Sequence, residues 1–132
     1  MNRIEWVRSA VTAANTARDG TGAVSVVFSA DEATWVEKVR FTAVGTNIQT
    51  VARLFINNGD PNATAANNVL IAEVTLPATT ASADTAITAV ESTLRLYVPE
   101  GYRILLTLGT AVSAGYYVTA FAGDYWREQA QV

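Results

Sequence analysis

From Gly22 onward the chain breaks into short runs of β-branched and aromatic residues, each ended by turn chemistry, and no run shows a helical repeat. Val24, Val26 and Phe28 share one face of the first run. Between Trp35 and Val44, Val39, Phe41 and Ala43 alternate with Lys38, Arg40 and Thr42. Side chains of a strand point to opposite faces in turn, so this pattern reads as strands buried on one side. Val51 to Ile56 repeats it, placing Ala52, Leu54 and Ile56 against Val51, Arg53 and Phe55. Asn57-Asn58-Gly59-Asp60-Pro61-Asn62 then forms a loop, because Asn and Gly accept positive φ and Pro61 lacks a ladder donor.

Asn68 to Leu76 is a further strand, ended by Pro77, and Ala78 to Thr85 is a small, polar surface connection. Ala86 to Glu91 is ambiguous. Leu94, Leu96 and Val98 face away from Thr93, Arg95 and Tyr97. Ile104, Leu106 and Leu108 alternate with Arg103, Leu105 and Thr107. Pro99-Glu100-Gly101 lies between these two runs, and its fit to a tight turn predicts an antiparallel hairpin. Gly115 to Phe121 is the last strand. About eight strands at roughly 10–15-residue spacing, with no crossover helices, predict an all-β fold: an antiparallel β-sandwich, jelly-roll-like.

Residues 2–18 differ. Ile4, Val7, Val11 and Ala14 sit at helical spacing, so a short helix or an extended arm is expected there. The reading divides the chain into an N-terminal arm, residues 1–20, and a β-sandwich domain, residues 21–132.

What the chain lacks narrows its chemistry. It contains no Cys and no His, which excludes thiolate and imidazole metal sites, disulfides, thiol nucleophiles and His-based triads. No catalytic residue, cofactor or metal site is expected, and the chain reads as non-enzymatic. Its net charge is −3, with both signs scattered, so nucleic acid is not an expected partner. No apolar run approaches the roughly 20 residues that span a bilayer, and the N-terminus has no secretory apolar core. The expectation is a protein made in the cytoplasm, with no membrane partner.

Individual motifs read as structure. Gly20-Thr21-Gly22 precedes a strand, whereas a phosphate cradle precedes a helix. Asp31, Glu32 and Asp60 read as solvated turn carboxylates, and Asn62-Ala63-Thr64 as a chance glycosylation match. Arg53, Arg95 and Arg103 occupy outward strand positions. Eight of nine cations are Arg, a residue enriched at protein interfaces, and Val51 and Phe55 flank Arg53. Trp6 and Tyr125-Trp126 fall on peripheral segments, where aromatics either staple their own domain or anchor a partner. The candidate interface residues are Trp6, Arg8, Arg53, Phe55 and Trp126.

Several blocks carry a wider likeness. Asn15-Thr16-Ala17-Arg18-Asp19-Gly20-Thr21-Gly22 leads into the strand ending at Phe28. Val39-Arg40-Phe41-Thr42-Ala43-Val44-Gly45-Thr46, Val51-Ala52-Arg53-Leu54-Phe55-Ile56-Asn57-Asn58-Gly59 and Leu70-Ile71-Ala72-Glu73-Val74 follow. The Pro99, Gly101, Tyr102 turn and Val118-Thr119-Ala120-Phe121-Ala122-Gly123-Asp124-Tyr125 close the series. In this order, over Asn15 to Tyr125, the blocks resemble small proteins encoded in structural modules of tailed bacteriophages, some of which are capsid decoration, or cement, proteins. The resemblance implies a virion structural protein on the capsid surface, a homotrimer bound to the major capsid protein. It carries over no functional residue. The alternative is a tail- or head-fibre or collar component that binds a receptor or carbohydrate, with Tyr116, Tyr117 and Trp126 stacking on sugar rings.

Overall fold

A computed structural model describes residues 3–7 and 9–130. Its strands are β1 (Arg3–Trp6), β2 (Ser25–Ser29), β3 (Thr34–Ala43), β4 (Thr50–Asn57), β5 (Asn68–Leu76), β6 (Val90–Val98), β7 (Arg103–Leu108) and β8 (Tyr116–Ala122). A helix, α1 (Asp124–Ala130), follows. The strands form two four-stranded sheets, β1-β8-β3-β6 and β2-β7-β4-β5.

The pairing is nested and antiparallel. β4 pairs with β5, β3 with β6, β2 with β7 and β1 with β8. This is one long hairpin, its tip at β4–β5, rolled so that β3 also meets β8 and β4 also meets β7. The architecture is an eight-stranded antiparallel jelly-roll sandwich.

Alternation fills the space between the sheets. Ala52, Leu54, Ile104, Leu106 and Leu108 enter from one sheet, and Val36, Val39, Phe41, Val118, Ala120 and Ala122 from the other. Val36 and Val39 both face inward because the register shifts between Val36 and Lys38, which leaves Glu37 as an extra residue. Phe28 and Phe41 are shut off from water. Each such side chain contributes roughly 1.5–3 kcal/mol by its removal from water.

Three expectations are corrected. The two runs around Pro99-Glu100-Gly101 are not a hairpin, since β6 and β7 lie in different sheets. The turn is a corner between layers. Tyr102 N donates to Pro99 O at 3.0 Å, and Gly101 N donates to Ala30 O at 2.8 Å. Gly101 has φ 82°, which a side chain would resist.

The expected N-terminal helix is absent from the described residues. Arg3–Trp6 is instead the edge strand β1. Its alternation turns Arg3 and Glu5 toward β2, where Arg3 donates to Ser29 O and Ser29 N donates to Glu5 Oε1. Ile4 and Trp6 are left outside. The third correction is α1, which no periodicity predicted. It begins with Asp124 and carries Arg127 in its last turn, charges that suit its dipole.

Residues 14–23 continue across the second sheet. Ala14 bridges Leu108, and Asn15 N donates to Leu108 O at 2.8 Å. Asn15 Nδ2 donates to Thr21 O at 2.9 Å and Ala23 O at 2.7 Å, closing the segment into a loop. The loop tip reaches β5, where Arg18 pairs with Glu73 and Asn68 Nδ2 donates to Asp19 O at 3.1 Å. Because β4 lies between β7 and β5, the loop crosses the outer side of β4. Phe55 and Leu105 are both 0% exposed, yet neither belongs to the inter-sheet core. The loop covers them.

Candidate interaction surface

The outer face of the β1-β8-β3-β6 sheet gathers side chains that single-strand reading leaves scattered. Register fixes the rows. Ile4 lies opposite Phe121, and Trp6 opposite Thr119. Lys38 faces Phe121, Arg40 faces Thr119 and Thr42 faces Tyr117 across the β3–β8 pair. Arg40 meets Glu91, and Trp35 meets Tyr97, across the β3–β6 pair. All three Trp of the chain are on or against this face, Trp126 arriving through α1.

Cations and rings are layered here. The Arg40 guanidinium lies 4.8 Å from the Phe121 ring centre. Lys38 Nζ lies 5.2 Å from the same ring and 5.5 Å from Trp126. Phe121 and Trp126 meet edge to face at 5.8 Å, as do Trp35 and Tyr97 at 5.4 Å. Such stacking holds the cations flat against the sheet. Trp6 is 64% exposed and Tyr117 52%, and Ile4, Tyr97 and Tyr125 also stand open. Contiguous exposed aromatics beside cations are the composition of a protein-binding surface.

Glu91 is the carboxylate shared by Arg40, at 2.7 Å, and Lys38, at 3.2 Å. The hydrogen bond from Arg40 holds this carboxyl below its usual value; burial opposes the shift and Lys38 adds to it. A carboxylate depressed in the fold adds stability that is full above its unfolded-state value and fades as pH falls through the folded one. Glu91→Gln is therefore expected to lower stability slightly at neutral pH, by under about 1 kcal/mol. The gap to wild type closes in acid, which urea melts across a pH series would register.

The candidate residues fall out differently. Trp6 stands open on this face, and Trp126 is half-buried against Phe121. Arg8 lies outside the described residues. Phe55 points outward from β4 as the alternation predicts, but the Asn15–Ala23 loop seals it, so it is no surface residue. Arg53 is shut in likewise, its side chain 14% exposed and its Nε 3.9 Å from Glu73 Oε1. Arg103 is spent on Asn57 Oδ1, and Arg95 pairs with Glu37 at 3.1 Å. Tyr116 is buried in the core, unlike its neighbour Tyr117.

The carboxylates stay dispersed: Asp31 pairs with Arg3 and Glu73 with Arg18. Among the described residues no group of three or more acidic side chains is placed to hold a metal. No helix among them is long and apolar enough to cross a membrane. Sequence reasoning missed Ile4, Lys38, Arg40 and Phe121 as members of one surface. The outward alternation of Lys38 and Arg40 was visible, but the β3–β8 pairing that brings them to Phe121 was not.

The fold and this face define a jelly-roll protein with an aromatic, cation-bearing sheet surface. Comparison with family models, with curated proteins and with solved structures finds no match for this chain.

Proposed function

We propose that the protein is a non-enzymatic structural component of a bacteriophage virion: a capsid decoration protein, made in the host cytoplasm, that binds the major capsid protein as an oligomer, most simply a homotrimer. The observation that carries this reading is the open outer face of the β1-β8-β3-β6 sheet, where Tyr117, Tyr97 and Trp6 stand exposed around Lys38 and Arg40. A rigid sheet presents these groups with little ordering cost on binding. The resemblance of the Asn15–Tyr125 blocks to small phage structural proteins supports the same reading.

The test is co-sedimentation of purified protein with expanded shells of its phage. Wild-type protein should saturate the shells and raise their heat resistance. Tyr117→Ala with Tyr97→Ala should weaken capture by about tenfold or more. Shells that bind wild-type and variant protein equally, or bind neither, would sink the reading. A second reading, a receptor- or carbohydrate-binding module of a fibre, is favoured by the same exposed Tyr97, Tyr117 and Tyr125 rings. It requires hits on a glycan array that Tyr117→Ala removes.

A further inference from the structure

We infer that copies of this chain join head to tail, Trp6 of one copy seated in a preformed apolar cavity of the next. The inference deepens the oligomeric part of the reading above and rests on it. The cavity, about 360 Å³, lies where the β5–β6 connection arches over one end of the sandwich. Phe41, Ala43 and Tyr116 are among its residues on the strands, and Pro77, Ile87 and Val90 line it from the connection and the start of β6.

Its wall is pinned. Thr79 N donates to Asn47 O at 2.9 Å, Asn47 N donates to Thr79 O at 3.2 Å, and Thr79 Oγ1 donates to Gly45 O at 2.7 Å. Asn47 is itself fixed: Nδ2 donates to Gly45 O and Gly115 O, while Oδ1 accepts from Ala114 N and Gly115 N. The space is therefore built by hydrogen bonds. A cavity of about 150 Å³ takes a benzene ring, so this one has room for an indole.

Trp6 has the highest fractional exposure of the chain's open apolar side chains. It cannot fill its own cavity. It stands on the outer face of β1, whereas the cavity reaches the inward residues Phe41 and Tyr116, with β8 between β1 and β3. The occupant must come from another copy.

Charge favours the same match. Asp84 is the sole ionisable residue between Pro77 and Ala89. Hydrogen bonds from Ser82 and Thr85 keep its carboxyl below the usual value, so the connection is anionic at neutral pH. The row holding Trp6 continues through Thr119 to Arg40, and Lys38 follows on the same strand, so two cations share one Glu91. An aromatic knob beside excess positive charge thus faces an apolar hole rimmed by negative charge. Knob and hole are different surfaces, so the contact is heterologous and closes into a ring when the rotation permits.

Light scattering on the isolated full chain tests this with two variants whose changed residues are exposed in the single chain. Trp6→Ala removes the knob, and Ala86→Trp plugs the mouth of the hole. Wild-type protein is expected to be oligomeric, and each variant should associate about thirtyfold more weakly. An equimolar mixture of the two should give one-to-one dimers and nothing larger, since only one intact knob–hole contact remains per pair. Wild-type oligomers that both variants reproduce would overturn the head-to-tail contact while leaving the oligomeric reading standing. A mixture that stays monomeric would overturn it as well. Monomeric wild-type protein at millimolar concentration would end both, and shell capture is scored separately.

Discussion

Phe55→Ala is expected to cost about 3–5 kcal/mol of folding stability, among the largest effects of any single truncation in this chain. Phe55 projects from the outer side of β4, where a partner-binding residue would stand, yet it has no exposed surface. It is opposite Leu105 across the β4–β7 pair and Leu70 across the β4–β5 pair, under the loop that Asn15 closes. Truncation opens a void on that side and removes the apolar support of the loop, which is otherwise tied down by polar bonds. Urea unfolding, read as a fall in midpoint at unchanged slope, would measure it. Trp6→Ala is the contrast: an open side chain whose loss should change stability by under about 0.5 kcal/mol. Equal costs for the two would mean that Phe55 is not enclosed as described.

Asn57→Ala is expected to cost about 3 kcal/mol, because it strands several buried groups at once. Asn57 is 0% exposed. Its Oδ1 accepts from Arg103 Nη2 at 2.9 Å and Gly59 N at 2.8 Å, and its Nδ2 donates to Asn68 Oδ1 at 2.7 Å and Asp60 O at 3.0 Å. Removing the amide leaves the Arg103 guanidinium and the Asn68 amide each short of a partner. Asn68 in turn holds Asp19, so the loop over β4 should loosen as well. Thermal melts together with amide exchange at Gly59 and Gly20 would show both effects. Gly20 has no latitude to compensate: a Cβ there would lie 2.7 Å from Asn68 Cβ, at φ 81°.

These two residues show where sequence reasoning stops. The strands of the sandwich were legible because one-sided burial writes period-two alternation directly into Val39–Ala43, Leu94–Val98 and Ile104–Leu108. Strand order was not, since alternation says which side a residue faces and nothing about its neighbours. The Pro99–Gly101 turn looked like a hairpin, and only the sheet assignments reveal a corner. The helix Asp124–Ala130 is too short for a helical period to register. Trp6 and Phe55 were both candidates for the surface. Their fates differ because the loop over β4 is made of Asn, Asp, Gly and Thr, residues whose hydrogen bonds leave no apolar pattern to read. Of the interaction surface, the outward lysine and arginine of β3 were legible, whereas their stacking on Phe121 depends on a pairing across nearly the whole domain.

The nesting of the strands also constrains synthesis. β4 and β5 are joined by a short loop, but β1 can pair only with β8, close to the C-terminal end. On the ribosome the first strand made must therefore wait, unpaired, until the last has emerged, and its closure bears the largest loop entropy of any pair in the fold. The strand carrying Trp6 is the final one to be locked in place.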